Sequence, residues 1–514
     1  MAVRQALAAL ILLFCAAAPA AAEDARKGGD ETRKGAEETR KGGEETRKGA
    51  EEHARGLPAE AVTSHTLAID GDKIAFTARA GALRLRDAQT EAPQADVAFV
   101  SYERNGADAA TRPVAFVFNG GPGAGSAWLQ LGALSPFRLR VTRDTLSPSL
   151  PPIIVDNAES WLPFVDLVFI DPPGTGFSKI LTDSDDVKKR FFSAEGDADA
   201  LAVVVRKWLT ARGRLASPKY LVGESYGGFR CVKLLDALRE RESVGVSGLV
   251  LISPVLDFGL LQGERHPLWR AALLPSFAAI ARNAADRAAL ADAEAYAAGD
   301  FVTDYLKGEK DAAAISRMSA KVAELTGLDP ALVARLGARV DPKTFARERL
   351  RDKGRVLSVY DGEVSRYDPT PFSPESDWAD PVLESWRAPL GAAMTRLMLE
   401  KLQWPIGDAR YTILNSDLAH RWDYGHGGRA GADVISPLRG ALALDPRLRV
   451  IVLHGLYDLV TPYFATRLLL DQLPALGDPG RVSLLALRGG HMPYLEDESR
   501  KAMRDAARAF LERP

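Results

Sequence analysis

The chain has 514 residues, 46% of them hydrophobic and 26% charged, the balance of an ordinary soluble globular protein with room for one large core plus an insertion, or for two domains. A formal net charge of -2 excludes a global field of the kind that gathers nucleic acid or an anionic membrane. Partners must therefore be read from local sites.

Arg4, the apolar run 6–17 and the small residues Ala20-Ala21-Ala22 form the pattern of an export signal over 1–22, so the mature protein is expected to be periplasmic or secreted. The apolar run is too short to span a bilayer comfortably, and no integral membrane anchor is expected after cleavage. Of the two cysteines, Cys15 leaves with the signal, so the mature monomer has no internal disulfide. Cys231 is expected as a small buried residue behind the serine discussed below.

Residues 23–63 read as a charged tether. Glu31, Glu38 and Glu45 each open a near-identical heptad, but every copy contains glycine and no large apolar residue, so no coiled-coil seam can form. The folded part, 64–514, is expected to open with a hairpin turning at Asp70-Gly71-Asp72. Apolar strands follow at 97–102, 114–118, 167–170, 220–222, 248–253, 449–454 and 482–487, with helices at 198–210, 229–240, 463–473 and 497–511. Such alternation implies a mostly parallel sheet with helices on both faces. The rhythm stops between about 260 and 441, where Asp329-Pro330 and Asp341-Pro342 open helices that Gly337 and Gly354 close. This insertion is expected to be a largely helical cap that shapes a pocket.

Gly223-Glu224-Ser225-Tyr226-Gly227 lies between a strand and a helix, the context in which G-x-S-x-G holds a nucleophilic serine on a tight turn. A serine hydroxyl needs a base, and the base needs an acid to orient it. His491 follows the last strand and Gly489-Gly490 and precedes the last helix; Asp458 closes the preceding strand. The chain order Ser225, Asp458, His491 is that of an α/β-hydrolase fold. His454 also ends a strand, but its place before Gly455 suits a packed residue. Asn119-Gly120-Gly121-Pro122-Gly123 follows another strand, and its glycines let backbone N–H groups approach an oxyanion. Asp417, His420, Asp423 and His426 match no closed zinc spacing, and Trp422 and Tyr424 between them suggest a pocket wall; neither metal nor cofactor is expected.

These motifs, with Asp171-Pro172-Pro173-Gly174-Thr175-Gly176-Phe177-Ser178 between the first two and Gly490-His491-Met492 at the end, resemble the serine carboxypeptidase family, in a bacterial branch. The resemblance implies an α/β-hydrolase fold and removal of single residues from peptides with a free C-terminus. It implies oxyanion-hole N–H groups from Gly121 and Tyr226, and capture of the substrate's terminal carboxylate by Asn119, the Gly120 backbone and Glu224. The chain departs from the family where Ala124-Gly125-Ser126 replaces Cys-Ser-Ser, and where the family's second glutamate would fall near Gln130 or Ala133. Other readings are an esterase, acyl hydrolase or acyltransferase on the same scaffold, a proline aminopeptidase, whose family tends to show His where Asn119 stands, and a non-catalytic binding module using tether and cap. Oligomeric state is left open.

Overall fold

The computed structural model of the chain describes residues 56–513, apart from 263–265 and 375–376. The export segment and the tether as far as residue 55 lie outside the described residues. The last residues assigned to the tether belong to the fold instead: the Leu57 N–H donates to Asp96 Oδ2 at 2.8 Å, and the first strand begins at Ala61, upstream of Ser64. The reason is that Ala61 and Val62 continue the antiparallel ladder, pairing with Ala80 and Arg79.

Ile69 pairs with Asp72, so Asp70 and Gly71 make a two-residue turn with φ of 53° and 87°. Positive φ at both central positions matches the right-handed twist of the strands. Among the described residues a ten-stranded sheet forms. Its order is Ala61–Ile69, Asp72–Arg86, Pro93–Arg104, Asp166–Ile170, Val114–Phe118, Lys219–Glu224, Gly248–Ile252, Arg449–Gly455 and Val482–Leu487, with the short Lys179–Ile180 paired to Pro93–Arg104. The first three strands are antiparallel; pairing is parallel from Asp166–Ile170 to Val482–Leu487. This is the expected α/β-hydrolase sheet.

Strand alternation feeds two cores. Val114, Phe116 and Phe118 face one, covered by helices Ala194–Ala211 and Tyr226–Glu242; Ala115 and Val117 face the other, which Met503, Phe510 and Leu511 of helix Asp497–Glu512 close. Ser193 starts the first of these helices by accepting the Gly196 N–H, and Glu195 and Asp197 in its first turn suit the helix dipole.

The insertion does two jobs. Helices Pro267–Arg282, Ala312–Thr326 and Pro342–Glu348 bury their own core, with Phe277 stacked on Phe345 at 4.3 Å, and that core takes in Leu456, Tyr457 and Leu459 from the loop after Arg449–Gly455. Helix Leu383–Arg396 departs from the cap and drives Trp386 and Leu390 into the core of the sheet. Among the described residues no helix is long and apolar enough to cross a membrane.

Candidate active site

Ser225 stands between strand Lys219–Glu224 and helix Tyr226–Glu242 with φ 60° and ψ -123°, a conformation that non-glycine residues reach only under strain. Three backbone bonds hold it there: its N–H donates to the Ile252 carbonyl at 2.9 Å, and its own carbonyl accepts from Gly228 at 3.0 Å and Val255 at 3.1 Å. A Cβ at Gly223 would stand 2.1 Å from the Gly227 carbonyl oxygen. The spacing of the motif is thus set by contact between its own two glycines.

Asp458 is fully buried. Its Oδ1 accepts the Val460 and Thr461 N–H groups at 2.8 and 3.0 Å, and its Oδ2 lies 2.8 Å from His491 Nδ1 and 2.7 Å from the Thr461 hydroxyl. Nδ1 therefore carries the proton that points at the carboxylate, and Nε2 is left for another partner. Burial pulls His491 toward the neutral form, but the charge and hydrogen bond of Asp458, with Glu224 behind them, outweigh it and raise its pKa.

Asn119, Gly120 and Gly121 run directly past the elbow. A Cβ on Gly120 would meet Tyr226 N at 2.6 Å and the Glu224 carbonyl at 2.7 Å, so only glycine allows this approach. Tyr226 is the first residue of its helix, and its N–H has no intrahelical acceptor. Asn119 is fixed at both ends of its amide: Oδ1 accepts the Leu129 N–H at 3.1 Å, and Nδ2 donates to Glu224 Oε1 at 3.0 Å. Burial pushes Glu224 up to about 7, against the lowering influence of His491 and of its two hydrogen-bond donors. Asp171, from the third motif, is also buried; its Oδ1 accepts the Ser126 N–H at 2.8 Å and the Tyr411 hydroxyl at 2.7 Å, which anchors the chain beyond the glycine loop.

Ser225, His491, Glu224, Asn119, Gly120 and Gly121 line one cavity of about 320 Å³. Several residues around the site carried no sequence signal. Tyr494 donates its hydroxyl to Glu224 Oε2 at 2.5 Å, from three residues beyond His491. Thr461 lies 3.0 Å from His491 Nδ1. Tyr360, from the insertion, accepts the His491 N–H at its carbonyl at 2.5 Å and sets its ring edge-on to the imidazole at 5.4 Å. Its neighbours bind the acid loop, the Leu459 N–H to the Val359 carbonyl at 3.0 Å and the Gly362 N–H to the Tyr457 carbonyl at 3.2 Å. The insertion thereby staples the Asp458 and His491 loops together.

The remaining candidates lie elsewhere. His454 is fully buried with Nε2 2.9 Å from the Thr466 hydroxyl. Cys231 is buried, and burial raises its thiol pKa. Gln130 donates to the Tyr102 hydroxyl at 3.0 Å, and Ala133 is buried in the core of the sheet. Trp422 and Tyr424 pack edge-on to Tyr226 at 5.4 and 6.4 Å, while Asp423 Oδ1 caps the Gly425 N–H. Among the described residues, no three His, Cys, Asp or Glu side chains converge as metal ligands.

Residues 74–258 match the family model for serine carboxypeptidase. The match contains the N-G-G-P-G, D-P-P-G and G-E-S-Y-G motifs and bears out the resemblance they carry; Asp458 and His491 lie beyond it. The chain is similar in fold to Kex1(Δ)p, a prohormone-processing carboxypeptidase from Saccharomyces cerevisiae, with 15% identity over 85% of this chain and 90% of that chain and a TM-score of 0.54. Looser likenesses, which bear on neither fold nor activity, are to a proline iminopeptidase from Mycobacterium smegmatis (14% identity, 84% and 97% covered, TM-score 0.38) and a thermophilic esterase from Thermogutta terrifontis (15%, 84% and 97%, 0.34). No curated protein sequence matches the chain.

Proposed function

From the premise that the chain is a serine carboxypeptidase relative with an α/β-hydrolase fold, we propose that it is a serine-type carboxypeptidase that removes C-terminal residues from peptides through an acyl-enzyme. The single observation that carries this beyond a generic hydrolase is Glu224, a buried carboxyl group hydrogen-bonded to Asn119 in the cavity of Ser225. A carboxyl group whose pKa stands near 7 shares a proton with a peptide's terminal carboxylate, and two carboxylates in contact cannot both ionise cheaply.

In this reading His491 Nε2 takes the Ser225 hydroxyl proton as Oγ attacks the last peptide carbonyl. The oxyanion receives the Gly121 and Tyr226 N–H groups. Collapse breaks the C–N bond, the proton passes from His491 to the leaving amine, and the free amino acid departs. Water then gives its proton to His491, attacks the acyl carbonyl and releases the shortened peptide, the proton returning to Ser225. Asp458 orients the imidazole and stabilises its charged form. The proposal includes export, supported by the pattern at 1–22, so that the peptides are met in the periplasm or outside the cell.

Glu224 must be protonated to receive a carboxylate, which favours pH below about 7. His491 must be neutral, which opposes low pH. Hydrolysis of a peptide acid is expected to follow a narrow bell, whose limbs belong to the coupled pair. The test compares peptide acids, their C-terminal amides and simple esters across pH, for the parent and Glu224→Gln, with a fluorophosphonate probe marking Ser225. The acid is expected to be preferred at low pH, and the variant to lose much of the pH dependence of substrate binding. Equal cleavage of acid and amide at every pH, unchanged by Glu224→Gln, would replace the carboxypeptidase reading with an esterase or acyl hydrolase.

A further inference from the structure

The cavity that holds Ser225 is lined mostly by apolar side chains, among them Trp128, Val255, Phe258, Leu383 and Leu414. A single lysine or arginine is among its lining residues, Arg429 from the insertion. Its guanidinium lies 5.1 Å over the Phe258 ring and 5.7 Å over the Tyr424 ring. These faces orient the group without neutralising it. Among the described residues no carboxylate pairs with it, whereas Arg421, Arg287 and Arg230 each have one.

The segment that carries Arg429 is fixed rather than draped. The Phe258 N–H donates to the Ala432 carbonyl at 2.9 Å, the Val434 N–H donates to the Leu256 carbonyl at 2.8 Å, and the Ala432 N–H turns back to Arg429 itself at 3.2 Å. The partner stretch 255–258 begins one bond from the nucleophile, since the Val255 N–H donates to the Ser225 carbonyl. Phe258 in turn packs against Phe229 and Tyr226 at 5.6 and 6.2 Å. The cation is therefore registered to the elbow through two strands of backbone and a nest of rings. Arg429 is exposed, so an incoming carboxylate reaches it from solvent.

The geometry points to Arg429 as the specificity determinant of this cavity, selecting peptides that carry an acidic side chain beside the scissile bond. The inference rests on the carboxypeptidase reading and adds the substrate class to it. A carboxylate of Asp or Glu reaches a preoriented guanidinium in a mostly apolar pocket, whereas a lysine side chain meets like charge at Arg429. Exposure keeps the effect moderate and makes it sensitive to salt.

The test is a set of short peptide acids with Glu, Gln or Lys placed singly at the last or the penultimate position, assayed with the full chain and with Arg429→Gln, Arg429→Lys and Arg429→Glu. The parent is expected to favour Glu over its neutral isostere Gln by roughly 3- to 10-fold in kcat/KM at one of the two positions, the ratio shrinking in high salt. Arg429→Gln is expected to bring the ratio to about one, Arg429→Lys to keep part of it, and Arg429→Glu to turn the preference toward Lys. A merely structural arginine would lower all substrates together and leave the ratios alone. No charge preference at either position, or a preference indifferent to the three variants, overturns the inference while leaving the carboxypeptidase reading intact. If only esters are turned over, that reading has failed instead; the arginine is then judged on acyl esters with and without a distal carboxylate, where an unchanged ratio in Arg429→Gln overturns it.

Discussion

His454 lies near the end of strand Arg449–Gly455 and His491 follows the parallel neighbour Val482–Leu487; both are buried, and only their immediate company differs. His454 has a neutral hydroxyl, Thr466, on Nε2, and burial pulls its pKa down to about 4 despite the charge of Asp458 nearby. His491 has the Asp458 carboxylate itself on Nδ1, and its pKa goes up. Equal burial gives opposite outcomes because a carboxylate in direct hydrogen-bonding contact offsets desolvation, while the same charge one shell away does not. A base has to accept a proton reversibly near neutral pH; a histidine pinned neutral serves packing.

The sharpest way to break the contrast is Asp458→Asn, which gives His491 a neutral neighbour like that of His454. With the carboxylate gone, the tautomer that leaves Nε2 free loses its partner, and kcat is expected to fall by roughly 10⁴-fold. Steady-state turnover of a peptide acid measures this, and retention of more than a tenth of the parent rate would detach Asp458 from the reaction.

Tyr494→Phe tests the other group that faces His491. The phenol, three residues beyond His491, donates to Glu224 Oε2, while Asn119 donates to Oε1 from the glycine loop and Asp458 lies behind. Losing one donor disfavours ionised Glu224, so the alkaline limb for peptide acids is expected to move upward by about half to one pH unit. Ester hydrolysis, which needs no carboxylate capture, should keep its profile. An alkaline limb that stays in place would mean that Tyr494 only fills space.

The smallest effect is expected at the histidine that packs. Thr466→Val removes the hydroxyl on His454 Nε2 and should cost about 1 kcal/mol of stability, a shift of a few degrees or less in Tm, with both limbs of the pH–rate profile unmoved. Calorimetry beside the rate profile separates the two; a displaced limb would tie His454 to the reacting groups.

Much of the candidate site was legible because its constraints are local. Gly223 and Gly227 touch each other, Asp70-Gly71 needs positive φ within a two-residue turn, and Gly120 admits no Cβ beside the elbow; such demands write themselves into a few adjacent positions. Short runs of consecutive apolar residues likewise marked the buried strands, since successive residues face one or the other of two cores. The start of the fold was less legible, because Gly56 to Thr63 carry no strong apolar pattern and owe their order to the strand they pair with.

What the sequence by itself determined is the sheet, the elbow and the choice of His491 beside Asp458, all fixed by short-range sterics and by apolar periodicity. The tertiary structure alone decided which side chains meet Glu224: Tyr494 and Asn119 reach it, while Gln130 turns to Tyr102. It also decided that Tyr360 clamps the His491 loop and that Arg429 stands over Phe258. These pairs join residues far apart in the chain, and a contact made only when distant segments pack leaves no pattern at either end.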